Sequence, residues 1–537
     1  MAIQSNEEKG SVVLSAGVAA FGILVSRILG MVRDMAIAKF VDTNSRDAFL
    51  SAFRLANVFR RLFGEGGLGV GFIPILTEIL AGRTSANLEE SDKRAKEFVS
   101  AVFSMLVTVL LVLSLLAFLF MDRIIGFLLS GDGFDSVPGK LELTVQFARY
   151  MIAFPVLACL YALFMAILHS FRRFLVAAIA PAIFNVVMIV AARSFLWTTE
   201  KQVLLLSLAV VVGGFLQMAL LVPSLVRLGF FPRVSFRWNT KDVGRFLATL
   251  GPTLFAASIF QLSILVNLRF ASELPAGSQS HLYLAERILE LPISLFVISF
   301  SQALLPTLAA IGARRETARM TEAMNHAIRL ALFVAIPAAL GMLVLAWPIV
   351  ETLFLGREFK FLDALQTAQL IRIYSVTVLA AAGTRILAQG FYAVGNMWYP
   401  ALAGAVSLVS HVIFAFVLTK EWGLNGLAAA SVGSGTVNML MLARGHVKFV
   451  APIDVRRLAK SFAVFAVCGG AMVAVIMWYD PVRRLVGANS TLAKSLFLGL
   501  AVTAGIGVYM GVAHLLRVPE YHETLQTVRE RLKKKRS

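Results

Sequence analysis

Cysteine is nearly absent from this chain of 537 residues: Cys159 and Cys468 stand alone, each inside an apolar run. That count excludes a disulfide framework and leaves a Cys-built metal site without a second ligand. Charge is scarce as well. Asp, Glu, Lys and Arg make up 15% of the residues, where a soluble globular protein carries about a quarter. Acids are the scarcer sign, 31 against 50 Lys plus Arg, which gives a net charge of +19. The motifs of enzyme chemistry are missing: no HExxH, no GxxxxGK[ST] and no Ser/His/Asp set stands in the sequence, and the one DxxD, Asp132 to Asp135, has no further acid or His close by in sequence to make a metal cluster. The seven His are scattered, and His169, His326 and His411 read as packing or interfacial residues. The opening "MAIQSNEEKG" has Glu7 and Glu8 where a signal peptide carries basic residues, so no cleaved signal is expected.

What is present is apolar sequence. Hydrophobic residues are 58% of the chain and mean hydropathy is +0.79. Runs such as "VFSMLVTVLLVLSLLAFLF" and "SFAVFAVCGGAMVAVIMW" approach or reach the roughly 20 residues that cross a bilayer as a helix. A β-barrel would show alternating segments of about ten residues instead. The fold class expected is therefore an all-α polytopic membrane protein. Fourteen spans are read, beginning near residues 12, 45, 96, 143, 176, 202, 244, 281, 323, 364, 398, 424, 457 and 493.

Basic residues gather in alternate loops: Arg83, Lys93, Arg94 and Lys96; Arg172 and Arg173; Arg227, Arg233, Arg237, Lys241 and Arg245; Arg314, Arg315 and Arg319; Arg444, Lys448, Arg456, Arg457 and Lys460; and the tail "RERLKKKRS". This is the positive-inside pattern, and it puts both termini in the cytoplasm. Arg483 and Arg484, in a loop read as outside, run against it. The basic loops and tail are expected to sit on anionic phospholipid rather than on nucleic acid.

A weak repeat runs at an offset near 220 to 230 residues. "GFIPILTEILAGRTS" is echoed by "ALLPTLAAIGARRET", with Pro74 and Pro306 alike, and "ILHSFRRFLVAAIAP" by "LAQGFYAVGNMWYP". Two six-helix halves, 1–230 and 231–450, are expected, with two additional spans over 451–516 and a basic tail at 517–537. Such pseudo-symmetric halves point to a monomeric transporter that rocks around a central cavity.

Charges inside the spans locate the candidate site. One at the bilayer centre costs about 2.5–3.5 kcal/mol on insertion scales. "SRILGMVRD" holds Arg27, Arg33 and Asp34; the two arginines share a face only if the helix bends or unwinds at Gly30, where glycine makes that easy. "RLANVFRRLFGEGG" holds Arg54, Arg60, Arg61 and Glu65. Arg54 and Arg61 share a face and Arg61 can pair with Glu65 four residues on, while helical phase leaves open which arginine faces a cavity. "YLAERILELP" holds Arg287 and Glu290, three apart. The sum is a cationic cavity, whose natural guest is an anion. Because arginine stays charged and binds phosphate bidentately, a phosphorylated, lipidic substrate is expected.

"SRILGMVRD", "RDAFLSAFRLANVFRRLFGEGG", "GFIPIL", "YLAERILELP", "LLPTLA", "RILAQGFYAVGN" and "VVGGFLQM" closely resemble segments of the MurJ (MviN) family of lipid II flippases, and the likeness runs to about residue 515. The resemblance implies the fold of the multidrug/oligosaccharidyl-lipid/polysaccharide exporter superfamily, with two six-helix bundles and two C-terminal helices that add a groove for a polyprenyl tail. It implies lipid II as the substrate, moved from the inner to the outer leaflet. It marks Arg27, Arg33, Arg60 and Arg287 as the functional arginines at the diphosphate, choosing Arg60 over Arg61. It places Asp47 and Glu65 at family acidic positions and Asp34 after Arg33, with Arg54 and Asn57 in the same motif. Departures are Ala56 before Asn57, where the family often has Pro, and Gly66 and Gly67 in "GEGG", which make span two more flexible. Residues 365 to 420 contain no Asp or Glu, which argues against the Na⁺ site of some members and for coupling to the membrane potential. No cofactor is expected. The alternatives are a flippase for another polyprenyl-diphosphate glycan, or a membrane glycosyl- or phosphotransferase.

Overall fold

A computed structural model describes residues 22, 24–62, 68–82, 88–194, 199–294, 299–314, 316–487, 490–523 and 525–526. Among these the chain is helical, joined by turns and short extended segments, with no strand. Helix α1 covers residues 24–40. It is followed by α2 (Thr43–Arg60), α3 (Leu68–Ala81), α4 (Leu88–Leu119), α5 (Met121–Leu129), α6 (Asp132–Asp135), α7 (Lys140–Tyr150), α8 (Phe154–Ser170), α9 (Leu175–Ala192), α10 (Thr199–Ala219), α11 (Val222–Leu228) and α12 (Lys241–Ser272). Then come α13 (Ser278–Pro292), α14 (Ser299–Ala313), α15 (Thr317–Leu353), α16 (Phe361–Ser375), α17 (Thr377–Ala393), α18 (Trp398–Phe449), α19 (Val455–Ile476), α20 (Tyr479–Leu485) and α21 (Thr491–Leu515).

Among the described residues nine helical stretches are long and apolar enough to cross a membrane, and Leu68–Ala81 and Leu304–Ala313 are shorter apolar helices. The 52 residues of α18 would run about 78 Å if straight, far beyond a hydrocarbon core of about 30 Å. The helix instead breaks at Gly423, whose φ of 54° and ψ of −131° need a residue without Cβ.

The repeat seen in the sequence has a local counterpart. Helix α2 ends in a π-helical turn at Arg61–Leu62 and α13 in another at Ile293–Ser294. These turns are 232 residues apart, as are Pro74 in α3 and Pro306 in α14. Single π turns inside helices are frequent at functional sites.

The chain folds as two compact units. The first is Met1–Ser280 with Gly356–Phe359, the second His281–Leu355 with Lys360–Ser537. The first unit extends to residue 280 because α12 packs on α3, α4 and α5. Its core is aromatic: Phe72 stacks on Phe98 at 5.1 Å, and Phe246 of α12 meets both edge-on. In the second unit α15 is the centre, with α16, α17, α19 and α21 against it. The two C-terminal spans dock there through Phe333, Phe465 and Tyr509, and the Tyr509 hydroxyl donates to the Phe333 carbonyl at 2.8 Å. The Arg483 exception to the charge pattern has a cause in this unit. Arg483 is buried and its Nη1 lies 3.3 Å from Glu351, which also accepts from Lys494 at 2.7 Å.

Candidate functional site

Helix α1 is continuous through Gly30, which is buried and helical. Six residues of an ideal helix leave Arg27 and Arg33 on different faces. Arg27 is half-buried. Arg33 is 6% exposed, beside Asp34 at 1%. Its Nε and Nη2 donate to Asp34 Oδ1 at 2.9 and 2.7 Å and its Nη1 to Asn185 Oδ1 at 3.2 Å. Asn185 in turn donates to the Ser26 carbonyl at 3.0 Å, and the Phe53 ring lies 5.5 Å from the Arg33 guanidinium. Burying an arginine requires such a set of partners, because an uncompensated charge in low dielectric is costly.

The turn into α2 is fixed by a second buried arginine. Asp42 caps α2 by accepting from the Asn44 and Ser45 amides at 3.1 Å. Fully buried Arg46 donates to the Ala38 and Val41 carbonyls at the end of α1, each at 3.1 Å, with Phe359 under its guanidinium at 5.0 Å. One residue on, Asp47 accepts from Lys140 Nζ at 3.0 Å, the Gly277 amide at 2.6 Å, the Ser280 amide at 3.0 Å and the Ser280 hydroxyl. The Asp47 carboxylate is thus held by four donors inside the first unit. It lies thirteen residues before Arg60, about 20 Å along a helix.

At the other end of α2, Arg54 is buried, and Asn57, Arg60 and Arg61 are half-buried. Asn57 Nδ2 donates to the Phe53 carbonyl at 2.8 Å, which aims its Oδ1 at Arg60 Nε, also at 2.8 Å. The guanidinium of Arg60 is thereby oriented by its own helix, just before the π turn. Glu65, Gly66 and Gly67 lie outside the described residues. In the second unit Arg287 Nη1 donates to Glu290 Oε2 at 2.8 Å, the local pair expected from their spacing.

The structure brings together Arg33 with Asp34, Asn57 with Arg60, and Arg287 with Glu290, and sets Asp47 apart. It also adds residues that the sequence reading passed over. Lys140, Ser280 and Asn185 are partners from distant segments. Arg385 stands in apolar α17 with no ion-pair partner among the described residues; its signal was a lone cation in "GTRILAQG". Buried His411 lies with Nδ1 3.2 Å from the Ser434 hydroxyl, a packing role as expected. Among the described residues no group of His, Cys, Asp and Glu is arranged to hold a metal.

Bundled apolar helices with arginines set inside them define a multi-pass membrane protein of the transporter kind. The solved structure of a lipid II flippase MurJ in an inward closed conformation matches 94% of this chain and 99% of its own, with a TM-score of 0.75 at 23% identity. An inward-facing multidrug resistance MATE family transporter of the MOP superfamily matches 81% of this chain and 96% of its own, with a TM-score of 0.68 at 14% identity. These show the fold. The family model for lipid II flippase MurJ matches residues 35–496. The probable lipid II flippase MurJ of Bdellovibrio bacteriovorus is 35% identical over 514 residues, covering 95% of this chain and 96% of that protein. That of Vibrio cholerae is 30% identical over 501 residues, covering 92% and 94%. The chain belongs to the MurJ family of lipid II flippases.

Proposed function

We propose that this protein carries lipid II from the inner to the outer leaflet of the bacterial cytoplasmic membrane, as a transporter and not as an enzyme. Family membership along nearly the whole chain supports the substrate. The observation that carries the chemistry is the division of the intramembrane arginines into two kinds. Arg33, Arg46 and Arg54 are buried, whereas Arg27, Arg60, Arg61 and Arg287 keep part of their surface accessible. Of the accessible arginines, Arg27, Arg60 and Arg287 engage the diphosphate during transport, using the planar fork that matches phosphate oxygens. Arg33, Asp34 and Arg54 position the helices that carry them, and Asn57 aims Arg60. Glu65 and the glycines Gly66 and Gly67 follow in the same motif.

The protein works as a monomer by alternating access, with both termini in the cytoplasm and without a cofactor. No Na⁺ site is needed if the membrane potential drives turnover, since moving one charge through 100 mV is worth about 2.3 kcal/mol. Basic residues of the loops and tail rest on anionic phospholipid.

The test is reconstitution of the purified full-length chain in vesicles carrying labelled lipid II. Accelerated movement of label between leaflets supports the reading. Movement of another polyprenyl-diphosphate glycan but not of lipid II would replace the substrate.

A further inference from the structure

Away from the arginines of the spans, the first unit carries a cleft of about 520 Å³, within the size range of ligand pockets. Its walls are the first three turns of α4 and the extended segment between α11 and α12. Hydroxyls of α4 hold that segment in place: the Arg233 amide donates to Ser100 Oγ at 3.2 Å and the Ser235 amide to Ser104 Oγ at 2.7 Å. Glu89, Lys93, Lys96 and Ser100 line it along one stripe of α4, and Arg233 faces them.

The charges in the cleft are mixed. Arg237 pairs with Glu97 at 3.4 Å, and Lys96 Nζ lies over the Phe230 ring at 5.5 Å. Glu89, Lys93 and Arg233 make no ion pair among the described residues. Asp92 lines it as well, so outside the Arg237–Glu97 pair the cleft presents three cations, Lys93, Lys96 and Arg233, and two carboxylates, Glu89 and Asp92. Phe231, Val234 and Phe236 of the same segment are exposed, and beyond Ser104 α4 exposes Val109, Leu111, Val112, Leu115 and Leu116. Basic and aromatic residues together at the edge of an apolar helix mark the membrane–water boundary.

We propose that this cleft binds the headgroup of an aminophospholipid. The phosphate lies among Lys93, Lys96 and Arg233, the primary ammonium donates to Glu89, and the acyl chains run along the apolar face of α4. A purely anionic headgroup leaves the Glu89 carboxylate facing like charge, and a soluble polyanion gains nothing from the apolar border. A trimethylammonium headgroup has the charge but no N–H to donate to Glu89.

The test uses the full-length protein in mixed micelles holding equal phosphatidylethanolamine, phosphatidylcholine and phosphatidylglycerol, with retained lipid read by native mass spectrometry. Phosphatidylethanolamine is expected to be retained over the other two. Glu89→Gln should lower its retention by about tenfold, the size of one charge-assisted hydrogen bond. The double variant Lys93→Ala/Arg233→Ala should do the same, and Arg319→Ala, in the second unit, should not. All the changed side chains are exposed, and unchanged thermal unfolding confirms that the variants fold. Equal retention of the three lipids, preference for phosphatidylglycerol, or indifference to Glu89→Gln overturns the proposal. The readout needs no lipid II and so stands apart from the transport assignment.

Discussion

Lys140 Nζ and Asp47 Oδ2 lie 3.0 Å apart with both side chains 1% exposed, and two backbone amides and a serine hydroxyl complete the shell of the carboxylate. Removing one member of a buried pair leaves the other uncompensated and costs about 3–5 kcal/mol. Lys140→Met is therefore expected to lower thermal stability in detergent sharply, and Asp47→Ala similarly. The double variant should cost less than the sum of the two, because the pair is coupled. Unfolding followed by size-exclusion fluorescence measures this. Additive losses, or none, would show that the pair is not a unit.

Arg33 and Arg60 should separate stability from transport. Arg33→Ala strands Asp34 in a buried site and is expected to destabilise the fold by about 3 kcal/mol. Arg60→Ala, at a half-buried position, should leave unfolding nearly unchanged and abolish lipid II movement. Arg60→Lys should not restore it, since a point charge lacks the fork. Arg61→Lys, at the neighbouring position, should retain most activity. Stability and vesicle transport measured on the same four preparations decide the matter.

Glu351 holds Arg483 and Lys494 together, and so ties the C-terminal spans to α15. Glu351→Gln should destabilise the docking of α19 and α21, seen as faster limited proteolysis between residues 450 and 491. Protection equal to wild type would mean that the apolar contacts of Phe333, Phe465 and Tyr509 suffice.

Much of this was legible in the sequence. The apolar runs, the repeat and the arginine motifs all depend on near neighbours along the chain, which composition and helical phase reveal. The Arg287–Glu290 pair followed from a spacing of three. Partners far apart were not legible: Lys140 is 93 residues from Asp47, Ser280 is 233, and Asn185 is 152 from Arg33. Helical phase has no access to such contacts, and the four protein donors around the Asp47 carboxylate were invisible to it.

Gly423 is where glycine is required. Its φ of 54° with ψ of −131° is closed to residues with Cβ. Gly423→Ala should cost about 1–3 kcal/mol of stability, whereas Gly470→Ala, in open space on α19, should be neutral. Thermal unfolding of the two variants side by side checks this.

The most direct test of the account is the exposure of lipid II on the outer leaflet of cells depleted of this protein. Exposure is read by cleavage of the diphosphate with an externally added enzyme. Wild type is expected to restore cleavage, while Arg27→Ala, Arg60→Ala and Arg287→Ala, each present at normal abundance, leave lipid II protected. Full exposure in the three variants would contradict the assignment of these arginines to the diphosphate.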